Sequence, residues 1–235
     1  MRDPRIIITD NVARIRHRVA EAAIKSGRNP ASVEIIAVSK YVDAPTAALL
    51  LQAGCRALGE SRPQQLWEKA AAPELATARW HLIGRLQRNK IRRTLPLVEL
   101  IHSIDSQRLL TAIDEQAIAL DLSPQVLLEV NCSGDHAKQG FSIDELRRTL
   151  STLAQLNRVQ IIGLMTMAPL DGGEPLARAS FAALRNLRDE LSSALSPSTT
   201  LRELSMGMSA DFEAAIVEGA TMVRIGSTLF EGLRE

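Results

Sequence analysis

The chain has 235 residues, 46% hydrophobic and 23% charged, with 28 basic and 27 acidic side chains giving a formal charge of +1. That balance excludes a basic nucleic-acid footprint, and 3% aromatics excludes a base-stacking platform. Two distant cysteines (Cys55 and Cys132), no Cys/His cluster and no apolar run near the roughly 18–20 residues of a membrane span point to a reduced, cytoplasmic, soluble protein. No metal, membrane or nucleic-acid partner is expected, and the chain is expected to be a monomer.

Asp10 or Asn11 can cap a first helix with apolar positions Val12, Ile15, Val19 and Ala22/Ala23, ending near Gly27. Val33–Val38 is short, apolar and β-branched, the pattern of a buried strand. Further strands are expected near 56–59, 80–84, 100–104, 126–131, 161–165, 201–205 and 222–225. Helical patterns fall at about 45–54, 62–71, 87–95, 106–120, 142–156, 175–194 and 209–219, with a short one from 227. Parallel strands need crossovers, so eight strand–helix units imply a parallel sheet. At this length they favour a closed (β/α)8 TIM barrel over an open doubly wound sheet, with residues 1–235 as one domain. The leading helix is extra and is expected to cover the barrel floor.

Chemistry in such barrels sits at the C-terminal strand ends. The first of these carries Lys40. The chain has only five lysines against 23 arginines, so a lysine there invites a role that arginine cannot fill, such as Schiff-base formation. A lysine paired with Glu60 is the equally weighted structural reading. Ser205–Ser209 and Ile225–Thr228, after the last two strands, combine glycine, hydroxyls and backbone N–H groups where barrels often bind phosphate. Short Gly/Ser turns of this kind also occur with no ligand. Arg224 beside them could face a ring nitrogen, or pair with Glu203 or Asp211. An amine for an aldehyde, a phosphate cradle and a ring-facing arginine together describe pyridoxal 5′-phosphate.

These residues resemble the YggS/PROSC family of pyridoxal phosphate homeostasis proteins, whose fold is like the barrel domain of alanine racemase. The resemblance rests on Ala37-Val38-Ser39-Lys40, Gly59-Glu60, Trp80–Gly84 with Leu86–Lys90, His102–Asp105, Gly163-Leu164-Met165, Leu204–Ser209 and Met222–Gly226. It implies that Lys40 carries the cofactor as an internal aldimine. It further implies that Ser205, Gly226 and Ser227 hold the phosphate, that Met206, Gly207 and Ser209 shape the same loop, and that Arg224 faces the pyridine nitrogen. The chain departs from the family pattern at Ser61, where asparagine is usual, at Arg85, where proline is common, and at Tyr41-Val42 after the lysine. The resemblance implies buffering or delivery of the cofactor, with apo-forms of pyridoxal-phosphate enzymes as recipients, and no catalytic residues.

An amino-acid racemase is the alternative. It needs two acid/base groups on opposite faces of the substrate carbanion. Tyr41, the only tyrosine, is expected to turn away from Lys40, because adjacent strand residues face opposite sides. His81 and His102 are expected to be hydrogen-bonded residues of the barrel rim, and Cys55 and Cys132 small buried hydrophobes. Arg224 stays protonated, so a ring nitrogen accepting its hydrogen bond stays neutral and is a weak electron sink. A cofactor-free aldolase using Lys40 on a phosphorylated substrate is a third reading. Lys138, in the polar loop after the fifth strand, is expected to be either a secondary contact for the aldehyde or a solvated lysine.

Overall fold

The computed structural model describes residues 2–133, 139–153, 156–169, 171–194 and 201–233. Eight parallel strands pair in chain order and close on themselves. They are β1 (Glu34–Val38), β2 (Ala57–Glu60), β3 (Arg79–Leu82), β4 (Leu100–Ile104), β5 (Gln125–Glu129), β6 (Gln160–Met165), β7 (Glu203–Ser205) and β8 (Met222–Ile225). Closure is made by β1 against β8, with Ile36 opposite Arg224. The expected barrel is present, and all eight strands overlap the segments expected for them.

Strand alternation divides the core into two layers. Ile36, Ala57, Leu100, Leu127, Met165 and Met222 fill the barrel interior as one cluster. A larger cluster joins the outer strand faces to the helices. At Gly163 on β6 an added Cβ would lie 2.0 Å from the Glu203 carbonyl oxygen, so β6 and β7 can meet only around a glycine.

The helices are α1 (Pro4–Lys25), α2 (Ala44–Gln52), α3 (Pro63–Ala70), α4 (Ile91–Thr94), α5 (Gln107–Leu120), α6 (Ile143–Leu153), α7 (Gly173–Ala194) and α8 (Phe212–Val217). The extra N-terminal helix is longer than the apolar pattern indicates. Asp3 caps it by accepting from the Arg5 N–H at 2.8 Å, and Pro4 sits in the first turn, where a missing N–H costs nothing. Its position also differs from expectation. α1 packs between α8 and α2 in the outer ring, with Ile8, Val12, Ile15 and Val19 buried, each contributing about 1.5–3 kcal/mol. It stands where an eighth crossover helix would stand, because β8 is followed by only the short 3₁₀ turn Ser227–Leu229 among the described residues. The helical pattern after β3 is likewise broken, with α4 flanked by 3₁₀ turns at Arg88–Lys90 and Leu95–Leu97. Pro96 cannot supply the N–H that would continue α4.

Candidate functional site

Interior positions near the C-terminal strand ends change from apolar to polar. Leu100 gives way two residues later to His102, Met222 to Arg224 and Leu127 to Glu129. Arg224 is 4% exposed, yet its guanidinium donates to Ser205 Oγ at 2.5 Å and to the Thr166 carbonyl at 2.9 Å. Ser205 Oγ also lies 2.8 Å from His102 Nδ1, and His102 Nε2 lies 2.9 Å from His81 Nδ1. β4 and β7 are not neighbours, so this chain of contacts crosses the barrel interior.

Arginine can only donate, so Ser205 Oγ accepts from Arg224, while the direction of the two contacts through His102 and His81 follows their imidazole tautomers. His81 Nε2 is left without a hydrogen-bond partner, 3.9 Å from Glu99 Oε1. Both rings are neutral. Burial, reinforced by Arg79, pushes His81 down to about 3, and burial with His81 and Arg224 holds His102 well below its usual value. Burial also lowers Arg224 to about 10, against the opposing pull of Glu129 and Asp211, so it remains a cation at neutral pH.

Each sequence-predicted residue has a definite place. Lys40 is half-buried in the turn after β1 and is not paired with Glu60, which is taken by Lys69. Its Nζ sits 4.7 Å from the centre of the Tyr41 ring. This corrects the expectation that Tyr41 turns away: β1 ends at Val38, so strand alternation no longer applies at 40–41. Arg224 pairs with neither Glu203 nor Asp211. Met206 is fully buried in the outer core, and its N–H donates to the Met222 carbonyl at 3.1 Å.

Gly207 has φ +91°, and an added Cβ would lie 2.6 Å from Ala215 Cβ and 2.9 Å from Phe212 Cα. Its carbonyl accepts from the Arg224 N–H, tying the β7 loop to β8. The next N–H, of Met208, donates to Asp211 Oδ1 at 2.6 Å. Ser209 Oγ accepts from the Gly226 N–H at 3.2 Å and from Thr228 Oγ1 at 3.4 Å. Ser227 is exposed at the start of the following 3₁₀ turn. Ser209, Gly226, Ser227 and Thr228 therefore converge, whereas the Ser205 hydroxyl is committed to Arg224 and His102. Lys138 lies outside the described residues.

Sequence reasoning missed three participants. Thr166 supplies a carbonyl to Arg224, whereas Thr228, which joins the Ser209 cluster, lay inside the expected phosphate loop. Glu129 is buried with its pKa raised to about 7, chiefly by burial and then by Asp105, while Arg224 pulls it down. A carboxylate inside the apolar run Val126–Val130 was the available signal. Lys69 is buried on α3, and the rarity of lysine that singled out Lys40 applies to it equally.

Not every hollow belongs to this site. A cavity of about 400 Å³ lined by Arg16, Arg56, Arg79 and Glu34 opens at the N-terminal strand ends. In barrels of this class that face carries stability rather than chemistry.

The sequence profile of the alanine racemase N-terminal domain matches residues 11–233. A pyridoxal phosphate homeostasis protein of Aquifex aeolicus is 36% identical, covering 94% of this chain and 96% of its own length. One from Pseudomonas aeruginosa is 38% identical, covering 95% and 94%. The chain belongs to the pyridoxal phosphate homeostasis protein family. Among solved structures, PipY of Synechococcus elongatus with PLP bound superposes at TM-score 0.84 with 38% identity, covering 95% of this chain and 99% of that one. An alanine racemase from Clostridium difficile shares the fold at TM-score 0.73 and 18% identity, with only 56% of its length covered. Among the described residues no group of His, Cys, Asp and Glu could hold a metal, and no helix is long and apolar enough to cross a membrane.

Proposed function

We propose that this protein binds pyridoxal 5′-phosphate through a Schiff base to Lys40 and buffers or delivers it to apo-enzymes, with little or no turnover of its own. The observation that carries the reading is Arg224, a buried cation on the strand next to the one that leads into the Lys40 turn, held by Ser205 and Thr166. Beside it Ser209 Oγ gathers the Gly226 N–H and the Thr228 hydroxyl, with the exposed Ser227 hydroxyl next to them, a set of donors that a phosphate would draw away from Ser209. Met206 and Gly207 give that loop its shape, and the close packing at Gly207 excludes any side chain there. The residues present fit the cofactor, and the name and bound PLP of the relatives support the same reading.

When bound, the cofactor supplies an aldehyde for Lys40 and an electron sink for carbanions. Lys40 would hold it through its amine, and Arg224, a donor that keeps its own proton, would face the ring nitrogen and leave the ring neutral and the sink weak. Ser205 takes part as the anchor of Arg224, which departs from the phosphate role that the resemblance gives it. His102 has both ring nitrogens engaged in the interior chain, and His81 has one.

One observation favours the alternative of an amino-acid racemase. Glu129 has its pKa near 7, the range in which a proton-transfer group works best. The test is an absorbance spectrum of the protein incubated with pyridoxal phosphate, before and after borohydride, beside Lys40→Ala. A visible band fixed by borohydride and absent in Lys40→Ala is expected, with no racemisation above that of a Glu129→Gln variant. A colourless wild-type sample would sink the proposal and leave the cofactor-free aldolase as the reading to pursue.

A further inference from the structure

The residue immediately before Lys40 is held by more partners than a strand end requires. Ser39 is fully buried. Its N–H donates to the Gly59 carbonyl at 3.0 Å, and its carbonyl accepts from the Val42 N–H at 3.1 Å, closing the turn that contains Lys40 and Tyr41. The same carbonyl accepts from Lys69 Nζ at 2.7 Å. The Ser39 hydroxyl donates to Glu60 Oε1 at 2.9 Å, and that oxygen also receives Lys69 Nζ at 2.5 Å. Glu60 Oε2 is buried without a hydrogen-bond partner.

Three elements meet at this point. Glu60 ends β2, Lys69 lies in the last turn of α3, and Ser39 follows β1. Gly59 stands opposite interior-facing His81, so Glu60 is on the outer face of the barrel, under α3. Apolar side chains such as Leu58 and Leu66 surround this layer. A buried ion pair is rarely the most stabilising filling for such a place, because desolvation offsets the attraction. What it supplies is geometry: a long ammonium stem with a fixed end can reach a carbonyl that no apolar residue could hold.

We infer that Glu60 and Lys69 are positioning residues that lock Ser39, and so set where the Lys40 amine emerges at the barrel mouth. The inference rests on the reading of Lys40 as the cofactor lysine. Neither residue reaches the mouth itself. Lys69 and Glu60 act only through the Ser39 carbonyl and hydroxyl, so their loss leaves the phosphate cradle and Arg224 intact and moves the amine alone.

The test uses full-length protein with the charge-neutral double substitution Glu60→Gln/Lys69→Met, and separately Ser39→Ala, which keeps the ion pair. Two readouts are taken. The first is the rate at which borohydride traps pyridoxal phosphate on Lys40, located by peptide mass. The second is amide hydrogen exchange at Val42 in protein without cofactor. Because displacement of a reacting group by about 1 Å can cost around a hundredfold, trapping is expected to slow about tenfold or more in the double variant and about threefold in Ser39→Ala. Val42 exchange is expected to speed up in both, and more in the double variant. Wild-type trapping and wild-type Val42 exchange in whichever variant folds would overturn the inference. If wild-type protein traps nothing on Lys40, the cofactor reading falls, and the Val42 exchange still decides whether the pair holds the turn.

Discussion

Two buried polar networks border the barrel mouth, and they solve opposite problems. Inside the barrel, His81, His102 and Ser205 form a neutral chain that ends on the cation Arg224. Outside it, under α3, Glu60 and Lys69 form an ion pair that ends on the backbone of Ser39. On the proposed reading, the inner network orients a charge that would meet the cofactor. The outer network orients a neutral peptide group that precedes the reactive amine. The difference shows that the paired ends of β8 and β1 can be set from opposite faces, since successive residues point to opposite sides of the sheet.

The contrast in charge predicts a contrast in fragility. Lys69→Met leaves Glu60 buried and uncompensated, and is expected to cost about 3–5 kcal/mol in urea unfolding. Adding Glu60→Gln should restore most of that loss, because an amide tolerates burial better than a lone carboxylate. A double variant as unstable as the single one would show that packing, and not charge, holds the outer network.

Within the interior, the largest expected effect comes from Glu129, which is buried and titrates at about 7 against an ordinary value of 4.5. Its raised pKa means that the folded protein binds the proton more tightly than the unfolded chain does. Stability is therefore lost as pH rises from about 4.5 through about 7, by on the order of 3 kcal/mol. Glu129→Gln should remove this slope, so the two unfolding curves should differ more at pH 7.5 than at pH 4.5. Parallel curves would mean that Asp105 and burial leave Glu129 as acidic as an exposed carboxylate.

Ser205→Ala should cost less, about 2 kcal/mol, by leaving the Arg224 donor and His102 Nδ1 without their shared hydroxyl. Ser209→Ala, in the loop alone, should cost well under that and instead weaken retention of pyridoxal phosphate. Equal stability losses, with equal loss of retention, would erase the distinction drawn between the two serines.

Much of this was legible in the sequence. The strands were, because the regular alternation of short strand-like and longer helical segments supports each one even where its own residues, such as Ala57–Glu60 or Glu203–Ser205, are a weak signal. Lys40 and the glycine-bearing loops could be singled out as residue types at expected strand ends. Which hydroxyl faces which partner could not. Ser205 ends β7 and Ser209 lies only four positions further on, and only barrel closure places the first against His102, over a hundred residues away. The same holds for Lys69, whose nine-residue separation from Glu60 has meaning only once α3 lies over β2. The ring position of α1 was hidden because the pattern revealed a helix without revealing that, among the described residues, only a 3₁₀ turn follows β8.

The smallest expected effect concerns Tyr41, the contact nearest the reactive amine. The Lys40 ammonium lies over its ring, but Tyr41 is 87% exposed, so the contact is worth about 0.5–1 kcal/mol at most. Tyr41→Leu should leave urea unfolding nearly unchanged. To meet an aldehyde the amine must leave the ring, so removing that contact should speed trapping of pyridoxal phosphate on Lys40 by about two- to fivefold. Slower trapping would mean that the ring guides the amine toward the mouth, and Tyr41 would then belong with Ser39, Glu60 and Lys69 as part of the device that aims it.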